Sequence, residues 1–134
     1  MDFKLFWVPS TYVSETFDIA SATVIEKGDM VALTAGLVTK GVAASAAVAY
    51  AMEASADGDT TIKVCNCEGA IYQGTGDAVF AAAQRGTDID LVGTTTQLLD
   101  VGASATDLFR VSARTDGGVI GSTDDIMVTI NKRI

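Results

Sequence analysis

A short alternation of apolar and polar positions, each time introduced by Gly-Asp, occurs twice in the first half of the chain. The first copy spans residues 28–38 and turns at Gly36, and the second spans residues 58–72 and turns near Glu68-Gly69. Glycine takes positive φ angles at a turn, and aspartate can hydrogen-bond its own backbone there. Alternation with period two is typical of a half-buried strand. We therefore predict a β-hairpin over each copy.

The same reasoning predicts further strands elsewhere. They cover residues 18–27, 87–92, 108–113 and 126–133, the last two joined through the Gly-rich residues 116–125.

Residues 43–56 are the most ambiguous stretch because they are rich in alanine, which has high helix propensity. Against a helix, Val48, Tyr50 and Met52 alternate with alanines, and hairpin signals flank the stretch. We predict a strand over about 47–54, with a helix as the competing interpretation.

One short helix is predicted over about residues 77–85, where Asp77 is suited to the N-cap and Gly86 to the position after the C-terminus. With 134 residues, the chain is most simply one domain. The fold class predicted is mainly β: a compact β-sandwich or barrel-like body over residues 18–134, preceded by an extended N-terminal arm over residues 1–17.

The N-terminal residues hold five of the nine aromatic side chains. They could form a strand that completes the core, as chain termini often do. Aromatic residues are also enriched at the centres of protein interfaces. We favour the arm, and predict partner or subunit contacts by Phe3, Phe6, Trp7, Tyr12 and Phe17.

The charge balance narrows the choice of partner. The formal net charge is −8, and the nine basic residues are scattered along the sequence. A nucleic-acid surface needs clustered Lys and Arg, so we expect no nucleic acid partner. No run approaches the roughly 18 apolar residues of a membrane span, and the N-terminus lacks the pattern of a signal peptide. We expect synthesis in the cytoplasm, without export or membrane insertion.

The residue types exclude several kinds of chemistry. The chain has no histidine, so neither a Ser-His-Asp nor a Cys-His arrangement can be built. Cys65 and Cys67 lack further soft ligands for a metal and are expected to be two reduced, small, apolar side chains on one face of a strand. The carboxylate pairs at 57/59, 88/90 and 124/125 match no calcium loop and sit in turn-like sequence. We expect no catalytic residue, no metal and no cofactor, and hence no enzyme.

Five segments resemble the small decoration (cement) proteins of tailed bacteriophage heads. They are IEKGDMVAL (25–33), GLV (36–38), GDTTIKV (58–64), LDVGASATDLFRV (99–111) and VTINKRI (128–134).

The resemblance implies a virion structural protein on the outer surface of the capsid, commonly a homotrimer. Such a protein would bind the major capsid protein and stabilise the expanded shell. In this family an N-terminal arm often reaches onto the capsid lattice. The resemblance marks turns and strands, and it assigns no individual contact residue.

Two alternatives remain open. One is another virion component, such as a head fibre base or a tail protein. The other is a carbohydrate-binding β module, for which the aromatic candidates are Tyr50, Tyr72 and Phe80.

Overall fold

The computed structural model describes residues 2–93 and 95–134 of the chain. The fold is mainly β, with 38% of residues in strands and 2% in helical structure, which confirms the predicted class. The strands are β1 (Phe3–Trp7), β2 (Glu15–Asp18), β3 (Met30–Thr34), β4 (Leu37–Lys40), β5 (Ala49–Ala51), β6 (Thr61–Cys65), β7 (Ile71–Gly74), β8 (Asp88–Val92), β9 (Leu98–Asp100), β10 (Phe109–Val111) and β11 (Ile126–Ile130).

Two antiparallel sheets pack against each other. One has six strands in the order β1-β7-β11-β10-β8-β9, and the other has five in the order β2-β6-β5-β3-β4. Of the two predicted forms, sandwich and barrel, the structure is the sandwich, because neither sheet closes into a barrel.

The centre of the five-stranded sheet, around β3 and β5, is buried on both faces. In β3, Met30 belongs to the larger apolar cluster, whereas its neighbour Val31 belongs to a second, smaller cluster. In β5, Tyr50 points to the larger cluster, and Ala49 and Ala51 belong to the smaller one. Because side chains alternate across a strand, the two clusters lie on opposite faces of this sheet. The five-stranded sheet thus has its own core in addition to the one between the sheets.

The first predicted hairpin is confirmed. Strands β3 and β4 pair in register from Val31 with Lys40 to Thr34 with Leu37. The two residues between the strands both take positive φ, 51° at Ala35 and 82° at Gly36. This is the conformation that a tight two-residue hairpin turn requires.

The second predicted hairpin is wrong, although both of its strands exist. Strand β6 lies in the five-stranded sheet, and β7 lies in the six-stranded sheet. Residues 66–70 therefore cross from one sheet to the other. Alternation identifies a strand and its buried face, but it does not identify the pairing partner.

The alanine-rich stretch forms the short strand β5 rather than a helix. The two alanines of β5, Ala49 and Ala51, are fully buried inside the five-stranded sheet, where a parallel bridge between Ile19 and Val38 brings β2 close to β4. Small side chains suit the narrow space that this arrangement leaves.

The predicted helix over 77–85 is reduced to a single 3-10 turn, Ala82–Gln84. Ala81 takes the cap position, and the Gln84 side chain accepts its backbone N–H (2.8 Å). Asp77 caps no helix: its carboxylate accepts the N–H of Val101 (3.0 Å) and holds β9. The strand predicted over 18–27 likewise stops at Asp18, with a turn following at residues 21–22.

The N-terminal residues do not form an arm outside the sheets, which corrects the predicted boundary at residue 17. Strand β1 pairs with β7, and β2 pairs with β6, so this segment contributes an edge strand to each sheet. The apolar rings of Phe3 and Phe17 pack into the two cores, and this burial fixes both strands.

Other parts of the chain form hydrogen bonds with three of the four edge strands, β1, β4 and β9. On β1, the N–H of Phe3 donates to the carbonyl of Gly28 (2.9 Å). On β9, Leu99 exchanges hydrogen bonds with Thr75 and Asp77, and the N–H of Ala20 donates to Val38 on β4. These bonds hinder the addition of a strand from another molecule at the three edges.

Candidate protein-binding surface

The structure separates the five predicted contact residues into three groups. Phe3 is 2% exposed and its ring stacks on Phe109, with 5.7 Å between ring centroids. Tyr12 and Phe17 are partly buried against the two apolar clusters. Phe6 and Trp7 are each 51% exposed. Only these last two present large apolar surface to a partner.

A bulge in β1 puts Trp7 on the outside. The pairs Phe3–Gly74 and Leu5–Tyr72 face inward, and the register then shifts so that Trp7 lies opposite Ile71. Without the shift, Trp7 would have the same parity as Phe3 and would point into the core. The bulge therefore re-aims this indole, a known use of bulges at sheet edges.

Beside the two rings, the exposed side of the six-stranded sheet continues as a shallow depression. Its volume is about 300 Å³. Ile71, Thr129 and the exposed Ala113 line it, with Arg110 at its side. We call the surface formed by Phe6, Trp7, Ile71, Thr129 and Arg110 the outer face.

The charges on and around the outer face are paired. Arg110 donates two hydrogen bonds to Asp88 (3.0 and 3.2 Å), and Asn131 donates a third to the same carboxylate (3.0 Å). Lys4 lies 3.5 Å from Asp125. The side chains are largely exposed, so each pair contributes little to stability. Their effect is to leave a nearly neutral, apolar face on a molecule of charge −8.

A second concentration of reactive side chains lies inside the molecule. All three tyrosines and both cysteines meet between the sheets, where the Tyr72 hydroxyl donates to the Cys65 sulfur (3.2 Å). Burial raises the pKa of Tyr12, Tyr50 and Tyr72, and the neighbouring Cys65 adds to the effect. Both cysteines are free thiols, with Cys65 buried and Cys67 half-buried. These phenols stay protonated at neutral pH.

The carboxylates serve mainly to fix loops. Asp90 accepts three backbone N–H groups, from Ala105, Thr106 and Asp107, at 2.7–2.9 Å. Burial opposes its ionisation, but these donors outweigh burial and lower the pKa of Asp90. Burial and the neighbouring Asp77 raise the pKa of Asp100. Within residues 2–93 and 95–134, no three Cys, Asp or Glu side chains are arranged to hold a metal ion.

Two further observations bear on the partner. The aromatic residues considered for sugar stacking, Tyr50, Tyr72 and Phe80, are at most 4% exposed and cannot contact a ligand. Among the described residues, no helix has the length and apolar character needed to cross a bilayer.

No protein-family model, curated protein or solved structure matches this chain.

Sequence reasoning selected Phe6 and Trp7 together with three aromatic residues that the fold buries or half-buries. The signal that separates them is the bulge, which shifts the strand register by one residue. Nothing in the sequence around residues 5–7 marks it. The residues that β10 and β11 contribute to the outer face could not be predicted from the sequence either, because only the sheet order places these strands on the same side of β7.

Proposed function

We propose that this chain is a virion structural protein that decorates the outer surface of a phage head, and that its outer face binds the major capsid protein. The family resemblance supplies the partner. The observation that supports a docking role is the half-exposure of Phe6 and Trp7 on a strand that is held firmly in a sheet. The proposed role is binding rather than catalysis.

The hydrogen bonds at the sheet edges bear on how the partner would bind. Because hydrogen bonds within the chain already use backbone groups at the edges of β1, β4 and β9, we expect docking through side chains rather than by strand addition. Trp is the residue most often found as an interface anchor, and its rotamers lose little freedom on a rigid strand. We expect the partner to offer an apolar pocket for Trp7.

Charge supports the same arrangement. Around a neutral outer face, the rest of the protein carries the excess of acidic residues, with 17 acidic against nine basic side chains. A partner surface with basic residues around its apolar pocket would attract this protein over distance and would not repel it at contact. Association would then slow as salt is added.

Co-sedimentation with expanded phage heads tests the proposal. The double variant Phe6→Ala with Trp7→Ala should lower the affinity by at least tenfold, because truncating an interface anchor typically removes about 2 kcal/mol or more. Circular dichroism should show the fold intact, since both rings are half-exposed.

Val119→Ala with Ile120→Ala is the matched control. These side chains are similarly exposed (69% and 60%), but they lie in the loop between β10 and β11 and not on the outer face. The control should bind heads as the wild type does. If both double variants bind equally well, the outer face is not the docking surface.

The same assay separates the alternatives. Sedimentation with tails instead of heads would indicate another virion component, and a monomer that binds neither would contradict both virion roles. The resemblance leads us to expect a trimer, which the solution mass measures directly.

A further inference from the structure

The segment between β1 and β2, residues 8–14, connects the two sheets and is weakly attached to both. We call it the strap. Its one backbone hydrogen bond within the described chain is the turn in which the N–H of Tyr12 donates to the carbonyl of Pro9 (3.0 Å). No backbone hydrogen bond joins the strap to the strands around it in residues 2–93 and 95–134. Such a segment can open without disturbing either sheet.

Apolar contacts hold the strap down. Val8 and Tyr12 are partly buried against the larger cluster, whereas Val13 is 77% exposed. Tyr12 is therefore the one large side chain that anchors the middle of the strap.

The hydroxyl group of Tyr12 destabilises the closed state of the strap. The Tyr12 hydroxyl is buried and has no hydrogen-bond partner of good geometry. It lies beside the Cys65 thiol, whose sulfur already accepts the Tyr72 hydroxyl. A buried hydroxyl without a partner disfavours the closed state, because water would satisfy it when the strap opens.

We propose that the strap opens from the folded body as a unit, with Tyr12 as its latch, and that opening exposes Cys65 as a latent site for thiol modification. In the closed state Cys65 is 0% exposed and cannot react. The class of reagent is a soft electrophile. With N-ethylmaleimide, the Cys65 thiolate forms a carbon–sulfur bond to the alkene, and the adjacent carbon takes a proton from water, so no oxidant is needed.

Alkylation kinetics of single-cysteine proteins test the proposal. Cys67→Ser leaves Cys65 as the reporter, and Cys65→Ala leaves the half-buried Cys67 as the control. If the strap opens locally, Cys65 should react at a rate that changes little with low concentrations of urea. Cys67 should react much faster, because it is only half-buried in the closed state.

Variants at the latch sharpen the result. In the Cys67→Ser protein, Tyr12→Phe removes the unsatisfied hydroxyl and should slow alkylation of Cys65 by roughly tenfold. Tyr12→Ala removes the anchor and should accelerate it by at least as much. Because Tyr12→Phe keeps the packing, it remains informative even if Tyr12→Ala unfolds.

Two results would overturn the inference. One is a Cys65 reaction with the urea dependence of global unfolding, which would mean that the strap opens only with the whole molecule. The other is a Tyr12→Phe protein that reacts as fast as, or faster than, its parent. Neither result depends on phage heads, so the strap and the proposed function can fail independently.

Discussion

The two sheets differ in how many of their faces are buried. The centre of the five-stranded sheet is buried on both, and its inner positions hold small or branched side chains such as Ala51 and Val31. The six-stranded sheet is buried on one face only, and its other face carries Trp7 beside a shallow depression. Nearly every substitution inside the first sheet should affect stability. The open face of the second can change with little effect on folding, which leaves it available for binding.

The largest expected effect comes from a residue that connects the sheets. Gln97 lies just before β9 and is 0% exposed. Its amide accepts the N–H of Met30 and donates to the carbonyls of Met30 and Gly41, all at 2.8 Å. Gln97→Leu would leave the Met30 N–H and the Gly41 carbonyl without partners and should lower the free energy of unfolding by about 4 kcal/mol.

Urea denaturation measures this effect, with Gln73→Leu as its control. Gln73 lies opposite Lys4 on the open side of the six-stranded sheet and is only partly buried. Its replacement should change stability by less than about 0.5 kcal/mol. Equal effects of the two substitutions would show that Gln97 does not join the sheets.

An intermediate effect is expected from overpacking. Ala51→Leu adds volume inside the five-stranded sheet and should lower the free energy of unfolding by about 2 kcal/mol. Ala113→Leu adds the same volume in the exposed depression and should leave stability within about 0.5 kcal/mol of the wild type. Thermal denaturation of both proteins tests the contrast. Similar melting temperatures for the two would mean that the inner face of the five-stranded sheet has free space.

The smallest effect is a change in the pH dependence of stability. Folding lowers the pKa of Asp90, so its carboxylate stabilises the folded protein at pH values above its unfolded pKa of about 3.9. This stabilisation is lost as the pH falls through the pKa of Asp90 in the folded protein. Folding raises the pKa of Asp100, so its protonated carboxyl group favours the folded protein at low pH. This stabilisation is lost as the pH rises through the pKa of Asp100 in the folded protein. Urea midpoints between pH 6 and pH 3 should fall less steeply for Asp90→Asn than for the wild type. An unchanged slope would exclude Asp90 as the source.

The sequence was sufficient for most strands from β3 onward, but not for β1 and β2 and not for which strands pair. Local turn chemistry at Ala35-Gly36 fixes the β3–β4 hairpin, so that prediction is confirmed. Strands β6 and β7 carry an equally good pattern, yet they belong to different sheets. Their separation depends on long-range packing, which alternation within a strand does not encode.

The candidate surface was predictable only in part. The aromatic cluster at the N-terminus correctly drew attention to Phe6 and Trp7 as large side chains in an unusual place. The exposure of the Trp7 ring depends on a one-residue bulge and on which strand lies beside β1. The burial of Phe3 shows the same dependence, because its ring needs Gly74 opposite, where a Cβ would lie 2.5 Å from the ring.

The central claim, that Trp7 enters the contact with a capsid, has a direct test because the chain contains one tryptophan. Replacing it biosynthetically with 5-hydroxytryptophan allows selective excitation in the presence of capsid proteins. Acrylamide should quench the free protein readily, since the indole is half-exposed, and should quench the head-bound protein several-fold less. If the protein sediments with heads while quenching stays unchanged, Trp7 is outside the contact and the account of the outer face is wrong.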